Sequence, residues 1–109
     1  VTFNDYQREA RKTAQYPVIG HGITYPALGI TGEAGEISDK VKKIFRDKGG
    51  IINDQDRDAL IKECGDVLWY LSALADELGT SLEAIAITNI EKLSSRQQRG
   101  MIGGEGDNR

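Results

Sequence analysis

A chain of 109 residues has the length of one domain, and a domain this short leaves much of its surface unburied unless a partner covers it. With 39% hydrophobic and 28% charged residues it is globular rather than disordered, and a net charge of -3 excludes bulk attraction to long nucleic acid or to an anionic bilayer. The single cysteine, Cys64, cannot form an intramolecular disulfide, and no apolar run has the length of a signal peptide or a membrane span, so the expected setting is a reducing cytoplasm.

Four helices are predicted in chain order, and no alternating run is long enough for a strand. The first spans Phe3 to Gln15, with Thr2 as its cap and Pro17 closing it. The second starts near Thr24 to Pro26, because proline suits a first turn, and stops at Asp47-Lys48-Gly49-Gly50. A linker leads into a long third helix, Asp56 to Leu78, with Leu60, Val67, Leu71, Leu74 and Leu78 on its apolar side and Gly79 as terminator. Thr80-Ser81-Leu82-Glu83 has the form of a capping box and opens a fourth helix that runs to about Arg99. The expected fold is a single all-α, four-helix bundle-like domain over residues 1–99, assembled as a dimer or tetramer. Residues 100–109 read as a flexible glycine-rich tail.

The chemistry sits in two matched acid pairs. Glu33-Ala-Gly-Glu36 lies in the second helix and Glu63-Cys-Gly-Asp66 in the third, and a spacing of three residues puts both members of a pair on one helical face. Glu63 lies beside the stripe of Val67 and Leu74, which points it toward the bundle. Four converging carboxylates repel one another unless a cation neutralises them, and an all-oxygen donor set favours magnesium or manganese over zinc or copper. Either pair alone is a common feature of solvated helices; two pairs facing each other are not. Gly29, Gly32, Gly35 and Gly65 occupy helix-interior positions that each cost about 1 kcal/mol against alanine, which calls for close backbone approach or room for a ligand beside the acids.

The stretch from Tyr25 to Lys43, followed after a spacer by Glu63-Cys-Gly-Asp-Val-Leu-Trp-Tyr70, resembles the MazG-like branch of the all-α nucleotide pyrophosphohydrolases, whose signature is an ExxE pair, a variable spacer and an ExxD pair. Asn89-Ile-Glu-Lys92 is similar to that family's third region. The resemblance implies a helical bundle that dimerises or tetramerises, and magnesium-dependent removal of pyrophosphate from nucleoside triphosphates, with manganese as a substitute. It also implies that Glu33, Glu36, Glu63 and Asp66 hold the metal, and that Asn89 and Lys92 contact nucleotide or phosphate.

Attack of water on the α-phosphorus needs neutralised phosphate oxygens, a deprotonated water and a leaving group held in line. Glu33 or Glu36 serves as the base, with Glu33 preferred. Lys40, Lys43, Lys92 and Arg96 offer positive charge to a polyphosphate, or form solvated edges paired with neighbouring acids. Trp69 presents a face to a base or packs in the bundle. Arg109, at the end of the tail, is placed to close over a bound polyphosphate as part of a lid. A ferritin-like di-iron site needs Glu-x-x-His on two helices, which one histidine, His21, does not supply. The alternative to an enzyme is a non-catalytic helical module that binds a nucleotide or a protein.

Overall fold

The structure, a computed structural model, describes residues 1–109 as four helices without a β-sheet: α1 (Phe3–Arg11), α2 (Thr24–Lys48), α3 (Asp54–Glu77) and α4 (Leu82–Gln98). The expected all-helical single domain is what forms, and the ends of its elements show why.

Thr2 caps α1 with a reciprocal box, its hydroxyl accepting from the Asp5 amide at 3.1 Å and the Asp5 carboxylate accepting from the Thr2 amide at 3.3 Å. α1 stops at Arg11, short of the expected Gln15. There the Thr13 hydroxyl donates back to the Ala10 carbonyl at 2.9 Å while accepting from the Trp69 indole N–H, also at 2.9 Å. A tertiary bond to α3 thus ends the helix before Pro17 has to.

α2 begins at Thr24 as expected, with Pro26 buried in its first turn, where a missing N–H costs nothing. It ends on Gly49 and Gly50, both at positive φ (62° and 82°), and the Gly50 amide returns to the Ile44 carbonyl at 3.2 Å. Asn53 then caps α3 in a box with Asp56, two residues earlier than expected, because Asn53 rather than the following acids supplies the cap. Lys48 bonds Asp56 at 2.7 Å across this short turn and ties the end of α2 to the start of α3. The two helices form an antiparallel hairpin, each about 36 Å long.

The start of α4 also differs by one residue. Ser81, not Thr80, is its cap, accepting from the Ala84 amide at 3.0 Å, and Glu83 is drawn away to the Asn4 side chain at 2.8 Å. The joint between α1, α3 and α4 is held by Gln7, which is buried. Its amide donates to Asp76 at 2.7 Å and to the Thr80 carbonyl at 3.1 Å, and its carbonyl accepts from the Leu82 amide at 2.9 Å. Arg11 pairs with the same Asp76 at 2.6 Å.

α2 packs on α3, α1 lies against α3 and α4, and α4 meets only α1 and α3, so the four helices do not close around one core within a single chain. Ile44, Ala73, Ala75 and Leu82 are the buried apolar side chains, whereas Leu28, Phe45 and Ile90 are all more than 60% exposed. The broad apolar arc of the hairpin and of α4 therefore faces outward. No helix is long and apolar enough to cross a membrane.

Candidate metal centre

In an antiparallel pair, one turn forward along α2 matches one turn back along α3. This register sets Glu33 of α2 opposite Asp66 and Glu63 of α3, and one carboxylate oxygen from each of the three lies within 4.8 Å of the other two. Glu33 and Glu63 are half-buried and Asp66 is exposed, so the cluster has a wall of protein on one side and solvent on the other.

Burial, and then the neighbouring charges of Asp66, Glu63 and Glu36, push the Glu33 carboxyl above its ordinary value. Tyr6 of α1 is also near enough to feel Asp66, its phenol raised first by burial and then by that charge. Lys40 lies 3.2 Å from Glu63 and neutralises part of the negative charge. Three oxygen donors converging from two helices, with one of them resisting ionisation, form a set that a hard divalent cation fits.

Glu36 does not join the three. Expected as a fourth ligand, it stays exposed here and acts on Glu33 through its charge. Lys43 pairs with Asp39 at 2.7 Å; with Lys42 it holds that carboxyl down at about 2.

Trp69 is half-buried and takes part in packing. Its indole N–H is committed to Thr13, and its ring stands edge-on to Tyr16 and Tyr70, with centroids 6.4 and 5.0 Å apart. Tyr16 stacks on Tyr25 at 5.8 Å, and Tyr25 lies 6.3 Å from Tyr70, which completes an aromatic cluster between α2, α3 and the loop after α1. The Tyr16 hydroxyl donates to Glu77 at 2.7 Å; burial and that bond push its phenol up to about 12. The sequence reading missed this cluster and the Gln7 joint.

The α4 residues are elsewhere in the chain. Asn89 and Lys92 line a groove of about 280 Å³ with Thr80, Ala84, Ile85 and Thr88, and α4 does not pack on α2. Lys92 and the buried Arg96 both reach the Asp107 carboxylate, at 3.1 and 3.4 Å, and Arg96 also donates to the Asp107 carbonyl at 2.8 Å. The Arg96 Nε has no partner. Arg109 is wrapped by its own tail, its guanidinium donating to the carbonyls of Met101, Ile102, Gly103 and Gly106. With its donors used in this way, Arg109 is not directed at the acid cluster.

Comparison with known proteins bears on the same segments. The family described as the MazG nucleotide pyrophosphohydrolase domain matches residues 24–101, which takes in both acid pairs and all of α2, α3 and α4. The Gene 37 protein of Mycobacterium phage L5 is 49% identical over 109 residues, covering 95% of this chain and 96% of that protein. No solved structure matches the chain.

Proposed function

From a chain that belongs to the MazG nucleotide pyrophosphohydrolase domain family, we propose an enzyme that hydrolyses nucleoside triphosphates to the monophosphate and pyrophosphate with magnesium, or manganese in its place. The observation that carries this reading is the convergence of Glu33, Glu63 and Asp66 within 4.8 Å across the α2–α3 hairpin. A divalent ion held there would neutralise phosphate oxygens and acidify water.

The chain's own groups do the rest. Glu63 and Asp66, from one face of α3, would hold the ion with Glu33. Glu33, the acid that α2 contributes to the cluster, accepts the proton of the attacking water. The water oxygen forms a bond to the α-phosphorus, the bond to the bridging oxygen breaks, and pyrophosphate leaves. Lys40, already among the acids, is placed to meet a phosphate oxygen when its bond to Glu63 loosens. Asn89, Lys92 and Arg96 are assigned to the nucleotide or its phosphates.

These last groups reach the acids in an assembly. A compact chain of this length has a radius of gyration of about 13 Å, against 16.8 Å here. Its accessible surface of 7711 Å² exceeds by roughly 1,700 Å² what a folded monomer of this mass exposes. Two such excesses fall in the range of obligate homodimer interfaces. We infer a homodimer, or a pair of dimers, in which one copy's α4 covers the open hairpin face of the other and brings Asn89 and Lys92 to its acids. The enclosed setting is the cytoplasm, where the triphosphate substrates are.

Incubating the purified protein with each canonical triphosphate and magnesium, with products resolved by chromatography, tests the reaction. Monophosphate and pyrophosphate are expected, and Glu63→Gln abolishes their formation while keeping the helical circular dichroism. Release of diphosphate and orthophosphate, or full turnover by the variant, overturns the reading.

A further inference from the structure

One turn from the acid cluster, the same antiparallel register sets Gly29 of α2 opposite Tyr70 of α3. Gly29 precedes Glu33 by four residues and Tyr70 follows Asp66 by four, so the pair occupies the next rung of the hairpin. The Tyr70 ring lies directly on the Gly29 backbone. A Cβ built at residue 29 would sit 2.6 Å from the Tyr70 Cζ and closer still to Cε1 and Cδ1, where no real side chain can be. The ring has little freedom to yield, because Trp69 meets it edge-on at 5.0 Å and Tyr25 lies across it at 6.3 Å. Its phenol is raised first by burial, then by Tyr25 and, among further charges, by Glu33 and Asp66, which places Tyr70 beside the acids without making it one of their ligands.

The other helix-interior glycines of this region are different. A Cβ at Gly32, Gly35 or Gly65 would meet nothing within 4 Å. Only at position 29 is the absent side chain required by a neighbour, and that neighbour belongs to the opposite acid-bearing helix.

We propose that Tyr70, seated on Gly29, is a positioning residue that sets the separation of α2 and α3 at the acid rung and thereby the affinity of the site for its divalent ion. The inference rests on the metal-site reading above. Carboxylates on two helices hold one ion only while the helices keep a spacing matched to its coordination distance. A planar ring on a bare backbone is a spacer of fixed thickness, and a methyl group on the backbone wedges the helices apart one turn from the ligands.

The test measures manganese binding directly, by the loss of the free-ion paramagnetic resonance signal, in the protein and six variants. Gly29→Ala is expected to weaken manganese binding by about tenfold or more, the size seen when groups behind metal ligands are disturbed. Tyr70→Phe keeps the ring and is expected to stay within about twofold of the parent. Gly32→Ala, whose methyl group points into open space, leaves the affinity unchanged. In the Gly29→Ala/Tyr70→Ala double variant, the methyl group has room, and part of the lost affinity returns. Tyr70→Leu, which removes the flat spacer without touching Gly29, weakens binding on its own and keeps the test open if Gly29→Ala does not fold. The magnesium concentration for half-maximal turnover rises in parallel, while turnover at saturating magnesium changes less.

Parent-like manganese affinity in folded Gly29→Ala or in Tyr70→Leu overturns the proposal. So does a double variant as weak as Gly29→Ala alone. Failure of the metal-site reading looks different: Glu63→Gln then binds manganese as the parent does, and the positioning role falls with it.

Discussion

Asp76 and Glu33 show the two directions in which this fold moves a carboxyl group. Burial works to raise Asp76, but Arg11 and Gln7 outweigh it and hold the carboxyl below its ordinary value of 3.8. The folded state therefore binds fewer protons at Asp76 than the unfolded chain, so its contribution is complete above that value and lost as pH falls through the lower folded one. Asp76→Asn should cost about 1–3 kcal/mol at neutral pH and flatten the acid limb of the stability curve, as urea unfolding at stepped pH would show. Gln7→Leu should cost a similar amount, because it strands the Leu82 amide at the start of α4. Glu33 is the opposite case. Its raised carboxyl makes the folded state bind more protons than the unfolded chain, so without metal stability falls as pH rises through the folded value. Glu33→Gln should raise the melting temperature in chelator at neutral pH while abolishing turnover; a lower melting temperature would remove the case for a repulsive acid cluster.

Among the elements, the hairpin and the tail are held by different means. The α2–α3 hairpin is held at its closed end by Lys48 and Asp56 and one turn from the acids by Tyr70 on Gly29. The tail is held to α4 through Asp107, which pairs with both Lys92 and Arg96. If those two cations receive substrate phosphate, Asp107 competes with it. Asp107→Asn should then lower the Michaelis constant by about two- to fivefold, the worth of an exposed ion pair, with little change in turnover number. Steady-state kinetics decide this, and a raised Michaelis constant would instead give the tail the closing role expected from its sequence.

At the scale of the whole molecule, the open arrangement leaves large apolar side chains such as Leu28 and Ile90 exposed on a single chain. Sedimentation at micromolar concentration should show a dimer or larger, and Leu28→Asp or Ile90→Asp, each on an exposed apolar position, should shift it toward monomer. If α4 of one copy serves the acids of another, Glu63→Gln and Lys92→Ala chains, each inactive alone, regain about a quarter of the parent activity when mixed at equal ratio and allowed to exchange, as random pairing of subunits requires. Mixtures that stay inactive despite proven exchange would place the complete site within one chain.

The amino-acid sequence alone determined the four helices, because caps, terminators and apolar spacing act over a few residues and are written side by side in the chain. It also determined that two acid pairs lie on two neighbouring helices, and the match over residues 24–101 agrees with the family those pairs resemble. Which acids meet was decided only by the tertiary structure. The difference between Glu33, in the cluster, and Glu36, outside it, is a helix rotation against α3, and that rotation depends on packing such as the Tyr70 ring on Gly29. The early end of α1 and the one-residue shift of the α4 cap were likewise set by Trp69 on Thr13 and by Asn4 on Glu83, contacts between residues 56 and 79 positions apart. Local signals cannot carry such pairings, since each depends on two distant segments being in place at once.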